Sequence, residues 1–121
     1  MFSKSFTIPS GAPASVSIID TTGRVAGCGI DSLLQPPMNG FSTLPTFPSL
    51  AFLIESQDGR NVLFDLGIPQ DWRELPPIVS DELKSSGWVI TVPQTTAEIL
   101  EENKVAADSI ESVVWRFVTR K

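Results

Sequence analysis

The sequence contains no histidine and only one cysteine among 121 residues. An ordinary zinc-hydrolase site, a serine triad and a cysteine-protease site each use imidazole as a ligand or a base. None of these sites can be built from this chain as it is written. The single Cys28 has no partner for an internal disulfide, so a reducing, cytoplasmic compartment is expected.

Clustered positive charge and long apolar runs are also missing. The net charge is -5, and the nearest basic group is formed by Arg116, Arg120 and Lys121. Binding to nucleic acid phosphates requires clustered lysine and arginine, so no nucleic-acid partner is expected. No apolar run approaches the roughly 20 residues that cross a bilayer, and the N-terminus has no apolar segment of signal-peptide type. We therefore expect no membrane association.

Apolar residues make up 41% of the chain, which is sufficient for a globular core in one domain. The alternation of residues 15–20 predicts a strand that ends in a turn at Thr22-Gly23. A returning strand is predicted over residues 25–30. Residues 35–48 contain four prolines and Gly40 and predict a long loop, and such loops are often functional in small domains.

The clearest predicted element is a hairpin. Residues 50–55 and 61–66 form two apolar segments, and Asp58-Gly59 between them is a strong turn signal. Both segments are apolar on both faces near their middles. This pattern is typical of a sheet with both faces covered.

The remaining chain predicts two helices and a strand. A short helix is expected over residues 79–85, ended by Gly87, and a second from Thr95, whose spacing to Glu98 is that of a capping box, to about Asn103. Residues 106–112 predict a turn, and a final strand begins at Val113. This order predicts an α/β or α+β domain with a mixed sheet. The last strand has no element after it, and a buried parallel strand needs neighbours and covering helices, so the domain is expected to be incomplete.

Asp65 is the most informative candidate site residue. A carboxylate at the end of an apolar strand is costly to bury unless it is paired or hydrogen-bonded, and Gly67 suits a tight turn after it. One interpretation is a carboxylate that caps backbone N–H groups of the next loop, and the other is a catalytic or supporting acid. An aspartic-protease half-site is an alternative, although Leu66 replaces the expected hydroxyl residue and the segment 20–23, Asp-Thr-Thr-Gly, has one residue too many.

The other candidates favour structural roles. Cys28 lies in an apolar setting without a neighbouring base and is interpreted as a buried, inert thiol. Gly23, Gly27 and Gly29 are interpreted as turn residues, since a phosphate loop would need a following helix and usually a lysine. The three tryptophans are interpreted as packing residues.

Five segments in order carry a resemblance to a known family. They are residues 47–55, 58–60, 62–67, 97–103 and 108–115, which read FPSLAFLIE, DGR, VLFDLG, AEILEEN and DSIESVVW. The series resembles the opening of metallo-β-lactamase-fold hydrolases, and the lactonase-like branch found in fungi in particular. The likeness extends from about Val16 to Trp115.

The resemblance implies that residues 1–115 are the N-terminal portion of an αββα sandwich that is incomplete here. In the family a Ser-His-x-His-x-Asp-His motif follows and binds two zinc ions for hydrolysis, including the opening of lactones. Residues 116–121 read RFVTRK instead and are expected to be an unrelated basic tail. The resemblance gives Asp65 the role of a supporting carboxylate near the metals and Gly67 that of a supporting turn. It implies no catalytic residue, no metal ligand and no bound cofactor in this chain.

Three interpretations follow from this resemblance. The chain is a truncated, catalytically inactive hydrolase, or a short form that associates with the full-length hydrolase or another protein. In the third, the likeness is accidental and the chain is a small binding module. An incomplete sheet predicts low stability in isolation and self-association through exposed sheet edges.

Overall fold

A computed structural model describes residue 5 and residues 7–115. Five strands are present: β1 Ala14–Ala26, β2 Phe47–Ser56, β3 Asn61–Phe64, β4 Val89–Thr91 and β5 Ile110–Val114. The helices are α1 Pro77–Ser85 and α2 Thr96–Glu102, and single 3₁₀ turns occupy Ile30–Ser32, Trp72–Glu74 and Ala107–Ser109. The basic tail predicted for residues 116–121 lies outside the described residues.

The five strands form one mixed sheet in the order β4-β1-β2-β3-β5. All neighbouring strands are antiparallel except β3 and β5, which are parallel. The helices follow β3 in the chain and lie between the two parallel strands in sequence, as a crossover connection requires. The predicted mixed α/β class is confirmed, and the architecture is compatible with part of a metallo-β-lactamase-like fold.

The predicted hairpin is confirmed as β2 and β3. Gly59 has a φ of +85°, a conformation open to glycine at little cost, and its N–H donates to the carbonyl of Ser56 at 3.1 Å. The Arg60 side chain pairs with Asp58 at 2.8 Å across the turn. The second strand ends at Phe64 rather than Leu66, because Asp65 has a positive φ that leaves the strand conformation.

The predicted turn at Thr22-Gly23 is wrong, since β1 continues through it as a bulge. Between Asp20 and Arg24 the strand advances four positions while β2 advances two. Thr22 has a φ of 62°, and its N–H donates to the Asp20 carboxylate at 2.9 Å, so the irregular segment is held locally. The return strand over residues 25–30 is therefore absent, and Val25 instead pairs with Ile90 of β4, a strand the sequence did not predict.

The second helix begins as predicted. The Thr95 hydroxyl accepts from the N–H of Glu98 at 3.2 Å, while the Glu98 carboxylate accepts from the N–H of Thr95 at 2.8 Å. This capping box satisfies two backbone donors that the helix leaves unpaired. The last strand starts at Ile110, three residues before the predicted position.

One face of the sheet forms the core. Ala51, Leu53 and Leu63 are buried on this face, and Leu53 and Leu63 are register partners on neighbouring strands. Trp72, Leu100 and other buried side chains of the helical segments complete the core. The helical segments therefore cover this side of the sheet.

The opposite face is not covered by the described residues, which corrects the expectation of a sheet covered on both faces. We call this surface the open face, and its members alternate with the core residues along four strands: Val16, Ile18, Leu50, Phe52, Ile54, Val62, Phe64 and Val114. Ile18 retains 69% of its side-chain exposure. Both faces of the sheet carry apolar residues as predicted, but the described residues supply a covering layer on one face only.

None of the helices in the described residues has the length and apolar character needed to cross a membrane.

Candidate functional site

The two predicted site residues lie in one loop that follows β3. The parallel strands β3 and β5 end at the same edge of the sheet, and the N–H of Asp65 donates to the carbonyl of Val114 at 2.7 Å. In sheets with parallel strands, ligand sites collect at the carboxyl ends of those strands. The topology therefore places Asp65 where a functional carboxylate would be useful.

Asp65 adopts a left-handed backbone conformation with a φ of 69°. Aspartate is one of the few residues that tolerates this region, because its short carboxylate can bond the local backbone. Here one carboxylate oxygen, Oδ1, accepts from the N–H of Leu66 at 2.9 Å. This is the local capping bond that the structural interpretation of Asp65 requires. Its supporting role near a metal stays a prediction.

Gly67 is packed directly against a buried side chain of β1. It has a φ of +67°, and a methyl group at its Cα would lie 2.5 Å from the hydroxyl oxygen of Thr21. Thr21 cannot easily move, since it is 1% exposed and its hydroxyl donates to the carbonyl of Ser49 at 2.6 Å. The loop thus requires glycine for both backbone conformation and space. Sequence reasoning identified Gly67 but missed Thr21, because the contact joins residues 46 positions apart.

The first residue of α2 holds the middle of the same loop. The Thr96 hydroxyl donates to the carbonyl of Leu66 at 2.8 Å. Between this helix and the loop lies an open cleft of about 480 Å³, lined by Leu66, Ile68, Pro69, Gln70, Asp71, Thr95 and Thr96. Three elements therefore hold the loop in place: β5 contacts Asp65, α2 contacts Leu66 and β1 contacts Gly67.

The donor groups of this chain do not fit a pair of zinc ions. Within residue 5 and residues 7–115, no three His, Cys, Asp or Glu side chains come together as a metal site would require. Cys28 is fully buried, with its sulfur 3.4 Å from the Ser32 hydroxyl, as expected for an inert thiol. Since the sequence also lacks histidine, the imidazole ligands implied by the resemblance cannot come from this chain.

Asp20, the carboxylate of the alternative protease-like segment, is engaged in an ion pair on the surface. Arg24 donates to both of its carboxylate oxygens, at 2.7 and 2.8 Å. Hydrogen bonding to Arg24, followed by the Thr22 N–H, lowers the pKa of Asp20 from 3.8 to about 2. A carboxylate held in the ionised form by these bonds is poorly suited to exchange a proton during catalysis.

The mixed sheet and its helices are compatible with a part of a metallo-β-lactamase-like fold. Comparison with known proteins confirms the resemblance at the level of sequence. The chain is 34% identical over 111 residues to the gamma-lactamase FDB1 of Fusarium pseudograminearum, covering 88% of this chain and 27% of that protein. It is 29% identical over 113 residues to the metallo-hydrolase mfmC of Annulohypoxylon moriforme, covering 89% and 29% respectively.

A third protein to which the chain is similar is named for a different activity. The chain is 35% identical over 111 residues to the cytochrome P450 monooxygenase mpaDE of Penicillium roqueforti, covering 88% of this chain and 13% of that protein. No family model matches the sequence. No solved structure matches it either. The chain spans between about one eighth and three tenths of the length of these relatives, so the similarity concerns a part of each.

Proposed function

We propose that this chain is a framework portion of a metallo-β-lactamase-like hydrolase and that it has no hydrolase activity of its own. The observation that carries the proposal is the absence of histidine from a chain that resembles histidine-dependent metallo-hydrolases. The chain supplies a sheet, its helical layer and the anchored loop of residues 65–67. The metal ligands would have to come from polypeptide that this chain does not contain.

The proposed substrate class is that of the complete hydrolase and not of this chain alone. The name of the gamma-lactamase FDB1 suggests cleavage of a cyclic amide, and the resemblance to the lactonase-like branch suggests cyclic esters. Both reactions attack the carbonyl carbon of a ring. In such an enzyme Asp65 would act as a positioning residue, since its N–H bonds the carbonyl of Val114 and its carboxylate accepts from the N–H of Leu66.

The test uses the purified 121-residue chain with zinc in excess and a γ-lactam or γ-lactone substrate. We expect no zinc-dependent turnover above buffer and no stoichiometric zinc retained after dialysis. The complete gamma-lactamase of Fusarium pseudograminearum serves as the positive control. Zinc-dependent turnover that is proportional to chain concentration would refute the proposal, more so if Asp65→Asn abolished it while Asp71→Asn in the neighbouring cleft did not.

A second candidate function is that of a non-catalytic chain that associates with a protein partner. The open face favours it, because apolar surface of this kind marks interaction sites. Addition of the complete hydrolase should then slow amide hydrogen exchange in β1 and β2. Unchanged exchange at saturating hydrolase would exclude that protein as the partner.

The proposed compartment is the cytoplasm. The unpaired thiol of Cys28 is buried, and its burial is compatible with a reducing setting in which no disulfide is needed.

A further inference from the structure

A tight turn over residues 38–41 lies in the long loop between β1 and β2. The N–H of Phe41 donates to the carbonyl of Met38 at 3.3 Å, which places Asn39 and Gly40 at the two central positions of the turn. Gly40 has a φ of +88°, a conformation that glycine adopts at little cost, and nothing lies within 4 Å of the position that a Cβ atom would take there. The turn therefore presents an Asn-Gly pair in open space.

The backbone nitrogen of Gly40 is accessible for reaction with the side chain before it. Residues 33–43 are all exposed to solvent. Within the part of the chain that the structure describes, no protein group accepts a hydrogen bond from the Gly40 N–H. Asparagine is one of the thermally labile residues, and its side-chain carbonyl carbon, Cγ, is the atom that this nitrogen would attack. Glycine has no Cβ to obstruct that approach.

The chain contains two other asparagines, and both differ at the nitrogen that follows them. Asn103 is followed by Lys104, whose N–H donates to a carbonyl of α2 at 2.9 Å. Asn61 is followed by Val62, which lies in β3 with a paired strand on each side. Both following residues also carry side chains that crowd the nitrogen. Asn39 alone among the three combines exposure, an unbonded following nitrogen and a following glycine.

The Asp58-Gly59 turn has a related sequence but not the same reactivity. The N–H of Gly59 donates to the carbonyl of Ser56 at 3.1 Å, so this nitrogen is engaged. A hydrogen bond from the Ser56 hydroxyl also lowers the pKa of Asp58 and keeps its carboxylate ionised. An ionised carboxylate has no group that can leave readily, whereas the neutral amide of Asn39 can release ammonia.

We propose that Asn39 is a site of spontaneous deamidation in the folded chain. The Gly40 nitrogen gives its proton to hydroxide and forms a bond to Cγ of Asn39. The bond from Cγ to Nδ2 breaks, Nδ2 takes a proton from water, and ammonia leaves a succinimide ring. Water then opens the ring at one of its two carbonyl carbons, which gives aspartate or isoaspartate. Either product adds one negative charge to the net charge of -5, and neither step oxidises or reduces the chain.

The bonds that anchor the loop lie outside the reacting turn. The N–H of Ile30 donates to the carbonyl of Ser42 at 3.0 Å, and the N–H of Leu44 donates to the carbonyl of Cys28 at 2.9 Å. The isoaspartate product adds one backbone atom within residues 38–41 only. We therefore expect the chain to stay folded as the products accumulate. The proposal is independent of the proposed function, since it requires neither zinc nor hydrolase activity.

The experiment is incubation of the full folded chain at neutral and at mildly alkaline pH, followed by anion-exchange chromatography and peptide mapping by mass spectrometry. We expect an acidic species that carries one additional negative charge, with the conversion of amide to acid confined to residue 39. The rate should rise with pH, because the nitrogen attacks after it has lost its proton. Asn39→Gln should abolish the acidic species, since glutamine would have to close a larger ring. Asn61→Gln is the matched control and should leave the rate unchanged.

A parallel incubation in concentrated guanidinium chloride separates the effect of the fold from that of the sequence. The Gly40 nitrogen is free in both states, so residue 39 should convert at comparable rates in the folded and unfolded chains. A folded chain that shows no conversion at residue 39, or that converts much more slowly than the unfolded chain, would refute the proposal, because the turn would then protect Asn39. Conversion of Asn61 or Asn103 in the folded chain as fast as that of Asn39 would refute the role given to the unbonded nitrogen.

Discussion

Replacement of Gly67 by alanine tests the close contact between the candidate loop and β1. The added methyl group would lie 2.5 Å from the Thr21 hydroxyl oxygen and 2.9 Å from the Cβ and Cγ2 atoms of that residue. A left-handed conformation costs a residue with a side chain about 1–2 kcal/mol. Overpacking of a buried site costs about 1–3 kcal/mol more. We therefore expect Gly67→Ala to lower the free energy of unfolding by about 2–5 kcal/mol.

Gly59→Ala is the matched control for this prediction. Gly59 has a φ of +85°, but nothing lies within 4 Å of the position that its Cβ would take. This variant incurs only the backbone cost, about 1–2 kcal/mol. The difference between the two variants therefore isolates the contact with Thr21.

The assay is urea unfolding followed by tryptophan fluorescence, to which Trp72 contributes as a residue that is buried in the folded chain. Thr21→Ala removes two of the three clashing atoms, so the effect of Gly67→Ala should be smaller in that background than in the unaltered chain. Equal losses for Gly67→Ala and Gly59→Ala, within about 0.5 kcal/mol, would refute the reasoning. That result would show that the loop accommodates the added methyl group without a further loss in the free energy of unfolding.

Two further predictions concern a helix terminus and a surface ion pair. Thr95→Ala removes the N-cap of α2 and should destabilise the chain by about 1 kcal/mol, while Thr95→Ser should be nearly neutral, as measured by the urea midpoint. Arg24→Met should raise the pKa of Asp20 from about 2 toward its ordinary value of 3.8, as measured by NMR titration. Because folding lowers this pKa, the ion pair stabilises the chain above about pH 4, and its contribution is lost as the pH falls toward 2. An unchanged pKa in Arg24→Met would contradict the assigned cause.

Local signals in the sequence predicted the elements that local chemistry fixes. Asp58-Gly59 forms the turn of the hairpin, and Thr95 with Glu98 forms the capping box, because both features depend on residues within four positions of each other. Thr22-Gly23 carries a similar signal but forms a bulge. There the pairing of β1 with β2 on both sides of the irregularity outweighs the local tendency to turn.

The candidate site likewise contains some residues that local sequence signals identify and others that they do not. Asp65 and Gly67 were identifiable, since a carboxylate and a glycine at the end of an apolar strand are locally unusual. Thr21 and Thr96, which fix the loop from β1 and α2, could not be found, because their contacts depend on the tertiary arrangement of the strands. The sequence pattern also could not predict that only one sheet face is covered, because it indicates that a face is apolar but not what packs against that face.

The parallel pairing of β3 and β5 has a consequence for the order of folding. The β2 and β3 strands are joined by a short turn, so this hairpin can form from local contacts alone. The β5 strand pairs only after the connection of residues 65–109 has been closed, which costs more chain entropy than the hairpin does. During synthesis the hairpin leaves the ribosome before β5 has been made. Until β5 arrives, the outer edge of β3 has unpaired backbone groups, and this interval is when the nascent chain is most exposed to misassociation.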